Sequence, residues 1–539
     1  MRFGGEYRRS PLDVFYDRNK RGVFNFDGTV GNWGTGSSSL DSLSDFLAGY
    51  VNANRATITY GDLQRDYYLN GASAFLQDSW KVRPNLTLNY GVNWVYQSPI
   101  SDPTDRISTF IPADGGITYV NKIGTLWPRD WNNFAPRFDF AYTPKFSSKM
   151  VIRGGYGIYY QVPNVNYFGD NKPPNHGATG ILANPYGQSP VYTLSNANPL
   201  VIQNGVPIFG NADFPVGALG AFSVSRHFIT AYSQNSNVNI QYQLNQSSVL
   251  EVGYTGSLSR HLPVTLDINQ IPLGGGPRPY AASFPSLSTI NEIQSVGNGY
   301  YNGLIASLRT SNFRGFTTKL NYTYGHSRDD LSATRGLIPQ NSYNLRGDYG
   351  NSDYDIRHSF AGFLSYAAPA PSRLKLLLGG WQFNSLLTFY TGQPFTVMSG
   401  SNTSGTKENN DRASVISDPF KGVPADVPGS YAYWFNPAAF ALPATSTYGN
   451  QARNKFAGPP VQQVDFSVFK NTKLTGRFNT QLRLEIFNLF NTRVLAPPDK
   501  NFGGSGLGQV TQTLDVFNGA PGIGTGAPRN VQLALKLIF

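Results

Sequence analysis

Five histidines, His176, His227, His261, His326 and His358, are the residues of this sequence best able to ligate a metal or move a proton near neutral pH. Their spacing serves neither purpose. No His-x-x-x-His or His-Glu pair puts two ligands on one face, so they read as surface histidines or as residues lining a watery interior. Among the carboxylates, Asp329-Asp330 and Asp348, Asp353 and Asp355 stand at the two ends of one predicted connection, a grouping of hard oxygen donors that suits Ca²⁺. The Asp-x-Asp-x-Asp-Gly register of a calcium loop is missing, and solvated loop acids are expected instead. The tripeptide Arg346-Gly-Asp348 carries no weight, because three residues recur by chance. There is no Gly-x-Ser-x-Gly elbow and no Gly-Lys-Ser/Thr phosphate loop, and Gly274-Gly-Gly-Pro277 has no following helix with which to cradle a phosphate. The absence of cysteine removes disulfides, thiolate zinc sites and Cys nucleophiles together, and fits a chain that crosses an oxidising periplasm. No enzymatic activity, metal or cofactor is expected.

The ionisable residues become intelligible through the segments that carry them. Arg153 alternates with Ile152, Glu251 with Val252, and Arg483 and Glu485 with Leu482, Leu484 and Ile486; Arg309, Lys319 and Asp465 fall in segments of the same kind. Alternation with period two is the signature of a strand with unlike faces. Leu86, Leu88, Tyr90, Val92, Trp94 and Tyr96 oppose Thr87, Asn89, Gly91 and Asn93. Val238, Ile240, Tyr242 and Leu244 oppose Asn237, Asn239, Gln241 and Gln243, and Phe316, Leu320, Tyr322 and Tyr324 oppose Thr317, Lys319, Asn321 and Thr323. The last residues repeat the design, with Val531, Leu533, Leu535, Leu537 and Phe539 on one face against Gln532, Ala534 and Lys536. A closing strand that ends on a terminal Phe is typical of outer-membrane β-barrels, apolar toward lipid and polar toward the lumen.

Composition agrees. Aromatic residues make up 14% of the 539 residues and charged residues only 14%, while Gly, Asn, Ser, Thr and Tyr abound. A soluble protein so poor in charge would ordinarily be rich in Leu, Ile and Val. No apolar run approaches the roughly 18 to 20 residues of a membrane helix. The net charge of +11 is spread without any Lys/Arg run longer than two, so nucleic acid is not an expected partner.

Read in this way the chain is all-β, with about 14 strands near residues 2–9, 67–81, 84–97, 133–145, 149–161, 229–244, 247–259, 298–311, 314–327, 354–369, 376–391, 460–472, 479–491 and 528–539. Their connections alternate in length. Val82-Arg83, Lys145 to Ser148 and Asn245-Gln246 belong to the short set, and 10–66, 162–228, 260–297 and 392–459 to the long set. Long loops on every second connection are improbable in a compact soluble domain. Short periplasmic turns and long extracellular loops of a transmembrane antiparallel barrel account for both sets. A hairpin is expected at residues 20–28 inside the first long loop. Tyr159-Tyr160 and Tyr300-Tyr301 suit aromatic girdles better than sugar stacking.

Several local words, Phe75-Leu-Gln-Asp-Ser-Trp80-Lys-Val-Arg-Pro-Asn-Leu-Thr-Leu-Asn-Tyr-Gly91, Asn133-Phe-Ala-Pro-Arg137, Val151-Ile-Arg-Gly-Gly-Tyr-Gly157, Gly379-Gly-Trp381-Gln-Phe, Thr391-Gly-Gln-Pro-Phe395 and Leu484-Glu-Ile-Phe-Asn-Leu-Phe-Asn491, follow one another in an order that resembles the barrel of Oar-like TonB-dependent receptors. The resemblance covers nearly all of 1–539. It implies a barrel of 22 strands, of which about 14 are present, and a plug domain, a TonB box and an export signal that this sequence lacks. Met1 to Tyr7 has no apolar core or cleavage site, so the chain is expected to be the carboxy-terminal part of a longer protein. Fourteen strands cut from a larger wall are expected either to close into a smaller, strained barrel or to fail to insert. Leu537 stands where such closing strands often carry an aromatic.

The resulting expectation is the barrel portion of a TonB-dependent receptor in the outer membrane of a Gram-negative-type bacterium, admitting a bulky solute such as an oligosaccharide, peptide or chelate. Arg153, Glu251, Arg309, Lys319, Asp465, Arg483 and Glu485 would line the lumen, and Val531, Leu533, Leu535, Leu537 and Phe539 would signal to the barrel-assembly machinery. The partners are outer-membrane lipid, that machinery, the TonB complex through the plug, and the solute. Two rivals remain: a non-transporting adhesion or structural barrel, and a secreted β-rich carbohydrate-binding protein.

Overall fold

A computed structural model describes residues 1–15, 26–28, 30–31, 33–35, 37–50, 57–59, 64–171, 179–181, 197–203, 206–209, 219–332, 338–370, 375–408, 410–425, 432–504 and 506–539. The expected hairpin at 20–28 falls largely outside them.

Fourteen antiparallel strands form one wall in sequence order: β1 (Arg2–Phe15), β2 (Gln64–Arg83), β3 (Leu86–Gln97), β4 (Phe134–Tyr142), β5 (Met150–Tyr160), β6 (Tyr232–Asn245), β7 (Ser248–Asp267), β8 (Leu287–Phe313), β9 (Phe316–Asp329), β10 (His358–Ala367), β11 (Trp381–Tyr390), β12 (Val461–Thr475), β13 (Phe478–Phe487) and β14 (Asn530–Ile538). Each strand found by alternation is present in its place. Six connections are short and seven long, in strict alternation. Among the described residues no ladder joins β1 to β14.

The wall has no apolar core of its own. Val238, Ile240, Leu250, Val252, Leu304 and Leu482 are all exposed, at 36 to 50%, and register places them in rows: Ile240 stands opposite Val252, and Tyr242 opposite Leu250. Exposed apolar rows on one strand face, with polar rows behind, are what lipid on one side and water on the other select. Aromatics collect where this belt ends. Tyr96 and Trp131 stack at 3.7 Å between ring centres at the long-loop end, with the Trp94 indole N–H donating to the Trp131 carbonyl at 2.7 Å.

Three strands run further than alternation indicates. β7 and β8 reach Asp267 and start at Leu287, although residues 260–297 read as loop. A register shift between Ser259 and Leu262, with His261 at φ 57°, inserts an extra residue and breaks the period. Above the bulge the pairing resumes, from Pro263 opposite Ser295 to Asp267 opposite Asn291. β1 continues through Pro11 to Phe15; proline lacks a donor, and the edge position of β1 tolerates it.

The buried apolar residues lie in the long loops and in the strand ends that meet them. Tyr67, Leu69, Ile100, Ile107, Leu126, Trp127, Phe168, Phe228 and Ile293 form one cluster, and Phe395, Val397, Phe435, Phe440 and Phe456 another. A strand from the third long loop, Leu219–Val224, adds to the upper part of β8 in parallel, so this hairpin is the mast on which the loops are built. The long-loop end is therefore a folded layer.

Candidate functional site: the polar face and the loop layer

Residues directly opposite in an antiparallel pair share a face, which locates every charged wall residue. Arg153 stands opposite Asn239, and Glu251 opposite both Gln241 and Ser307. Arg309 stands opposite Lys319, Lys319 opposite Phe363, Phe363 opposite Leu386, and Leu386 opposite Asp465. Glu485 and Arg483 stand opposite Ser467 and Phe469 on the same side. All seven lie on one face, behind the exposed leucines. They do not form one cluster: Glu251 accepts from the Gln241 amide at 3.0 Å, the Arg483 guanidinium lies 4.8 Å from the Phe469 ring centre, and Asp465 with Glu485 borders a recess of about 80 Å³.

A space of about 1300 Å³ against this face adjoins β1 to β6 and is lined by none of the seven. Asn89, Asn93, Asn235, Asn237, Arg137 and Asp139 bound it. Asn89 donates to Asp139 at 2.6 Å, and the Arg137 guanidinium sits 4.4 Å from the centre of the Tyr159 ring. Sequence reasoning weighed Arg137 only as part of a family word; the alternation of Arg137 and Asp139 with Phe138 and Phe140 is the signal that would have found it.

The paired tyrosines divide between faces. Tyr159 and Tyr301 lie on the polar face, so girdle placement applies at most to Tyr160 and Tyr300. The Tyr301 ring crosses Gly303 and Gly325, where a Cβ would come within 2.6 and 3.0 Å of its hydroxyl. Tyr300 lies beneath the loops, with Arg260 4.7 Å from its ring centre and Tyr349 edge-on at 5.8 Å.

The loop acids are not solvated. Asp329, Asp330, Asp348 and Asp355 are buried: arginines of a later loop reach Asp329 and Asp348, Asp330 accepts from Asn298, and Asp355 accepts from the Ser327 N–H and Arg357. Arg453 pairs with Asp329 and lies 3.5 Å from Asp353, and Arg412 pairs with Asp348. Burial lowers the Arg412 guanidinium to about 10, and the Arg453 charge adds to this. The acids thus fasten loop 330–357 to loop 391–460. Asp353, being half-exposed, is the one whose solvated reading survives. Arg346-Gly347-Asp348 lies in a short helical turn with Asp348 buried.

A third loop, 268–286, joins at Asp267, which accepts from the backbone N–H of Asn269 and Ile290 and from Arg278 at 3.2 Å. The Glu408 carboxyl meets it from loop 391–460. Burial raises Glu408 to about 8, helped by the hydrogen bond and charge of Asp267 and opposed by Arg278. Of the histidines, His326 meets Asn351 and His358 meets the Tyr322 hydroxyl. Among the described residues no group of three or more His, Asp or Glu is arranged to hold a metal.

On the apolar face of β14, Val531 pairs with Ile486, Leu533 with Leu484, Leu535 with Leu482 and Leu537 with Thr480, and all four are 62 to 73% exposed. Phe539 follows at 87%.

A family model described as an outer membrane beta barrel domain matches residues 1–532. The chain belongs to this family. As an outer-membrane barrel it has its exposed leucine rows in lipid, its short turns toward the periplasm and its folded loops outside the cell. No curated protein matches the sequence. Among solved structures, it is similar to the outer membrane transporter YddB from Escherichia coli, with 11% identity and a TM-score of 0.49 over 91% of this chain and 47% of that one. It is also similar to the siderophore receptor PiuA from Acinetobacter baumannii, with 11% identity and a TM-score of 0.45 over 100% of this chain and 53% of that one. The barrel spans about half the length of these proteins.

Proposed function

We propose that residues 1–539 form wall and extracellular loops of a TonB-dependent receptor that admits a bulky solute. The observation that carries this reading is the segregation of Arg153, Glu251, Arg309, Lys319, Asp465, Arg483 and Glu485 onto the face behind the lipid-facing leucines, which suits that face to line a watery lumen. The wide space beside Asn89, Asn93, Asn235 and Asn237 supports passage of something larger than an ion. Amide and hydroxyl groups there suit an oligosaccharide, peptide or chelate. Energy would come from the TonB complex acting on a plug outside these residues, and β14 would present Val531 to Phe539 to the barrel-assembly machinery.

Uptake of a labelled solute by cells expressing the protein from its native locus tests this. Uptake that disappears when TonB is depleted supports transport, and uptake unchanged by depletion removes it. The folded loop layer favours a second reading, an adhesion barrel whose loops hold a surface partner. Binding of a cell-surface ligand without entry would select it.

A further inference from the structure

Five of the six short turns carry basic residues, and none of the six carries an acid. Residues 81–88, 140–152, 243–250, 311–318, 365–383 and 473–480 span these turns and their flanks, and they contain nine lysines or arginines and no aspartate or glutamate. The extracellular loops hold acids and bases together and pair them. At the turns, Lys81, Arg83, Lys145, Lys149, Lys473 and Arg477 are exposed, and among the described residues none has a carboxylate partner.

Apolar side chains stand beside these cations. Phe146 follows Lys145 and is 82% exposed; Leu474 follows Lys473 at 55%; Phe478 follows Arg477 at 50%. Arg314 lies 5.4 Å from the centre of the Phe313 ring. Three of the six turns therefore present cation and apolar group as neighbours at the lower edge of the lipid-facing belt. An acidic polypeptide would satisfy the charges alone. A lipid interface satisfies both, since the apolar groups enter the acyl boundary while the cations stay at phosphate level.

We infer that the short turns form a basic rim that binds anionic phospholipid headgroups in the periplasmic leaflet of the outer membrane, with phosphodiesters of the phosphatidylglycerol kind as ligands. The inference rests on the orientation of the barrel and not on transport, so it survives if no solute is carried.

The test uses the full chain in detergent micelles doped with equal amounts of phosphatidylglycerol and phosphatidylcholine, with retained lipid counted by native mass spectrometry. Phosphatidylglycerol is expected to be retained preferentially, and 0.5 M NaCl should weaken the preference. The combined variant Lys145→Gln, Lys149→Gln, Lys473→Gln and Arg477→Gln should lower it by about five-fold for each residue in contact. A charge-keeping variant, Lys145→Arg with Lys149→Arg and Lys473→Arg, should retain it, which separates lost binding from lost folding. Lys421→Gln, in a long loop and 84% exposed, should leave it unchanged. Equal retention of the two lipids, the same loss in Lys421→Gln, or capture of polyglutamate or muropeptides in preference to phosphatidylglycerol would overturn the inference.

Discussion

Arg453 reaches from the loop between β11 and β12 to Asp329 at the upper end of β9, and both side chains are at least nine-tenths buried. The same guanidinium donates to the Asp348 carbonyl at 2.7 Å, so a single side chain fastens two loops and a strand end. Removing one partner of a buried pair leaves the other charge without compensation, which costs about 3–5 kcal/mol. Arg453→Ala is therefore expected to open this junction. Hydrogen exchange should accelerate in residues 338–357 while the wall strands keep their protection. Arg453→Met combined with Asp329→Asn should restore much of the loss, because no charge is then left buried.

The contact between Glu408 and Asp267 predicts a pH dependence. Glu408 titrates at about 8 in the folded loops and near 4.5 once released, so its contribution is complete below pH 4.5 and declines as pH rises toward 8. Above that value two carboxylates share Arg278, with Tyr343 and Tyr448 near Glu408. Protease cleavage within 402–411 should increase between pH 6 and pH 9. Glu408→Gln should flatten the profile by keeping an uncharged donor; a profile that stays as steep assigns the effect to another group.

Wall positions should separate by face. Leu484→Arg, on the lipid face, should destabilise the folded protein by about 2–4 kcal/mol if it lies near the midplane. Glu485→Gln, one residue on, should cost less than about 1 kcal/mol. Urea titration in liposomes measures both, and equal costs would contradict the sidedness that register assigns.

Phe539→Ala should lower the amount of heat-modifiable protein assembled in cells. The stability of protein refolded in detergent should stay nearly constant, because Phe539 is 87% exposed and packs against little. A matching fall in both would mean that Phe539 supports the fold itself.

The wall was legible because its physics is local. A strand between lipid and water must alternate, and residues such as Val238 to Leu244 carry that alternation without reference to any neighbour. The end of β7 was harder to read because His261 sits at a bulge, where one extra residue reverses the phase. Tyr159 and Tyr160 looked equivalent as a pair of aromatics, yet adjacent strand residues must face opposite ways, and only register shows that Tyr159 is the one packed on Arg137.

By itself the sequence determined fourteen strands, the rhythm of their connections, the charged face and the membrane. The loops were decided by tertiary structure. Asp329 and Arg453 are 124 residues apart and no periodicity links them; Asp329 and Asp348 read as solvated because the arginines that pair with them lie in another loop. The wide space beside Asn89 and Asn237 likewise belongs to six strands together, because curvature is a property of the sheet and no single strand carries it.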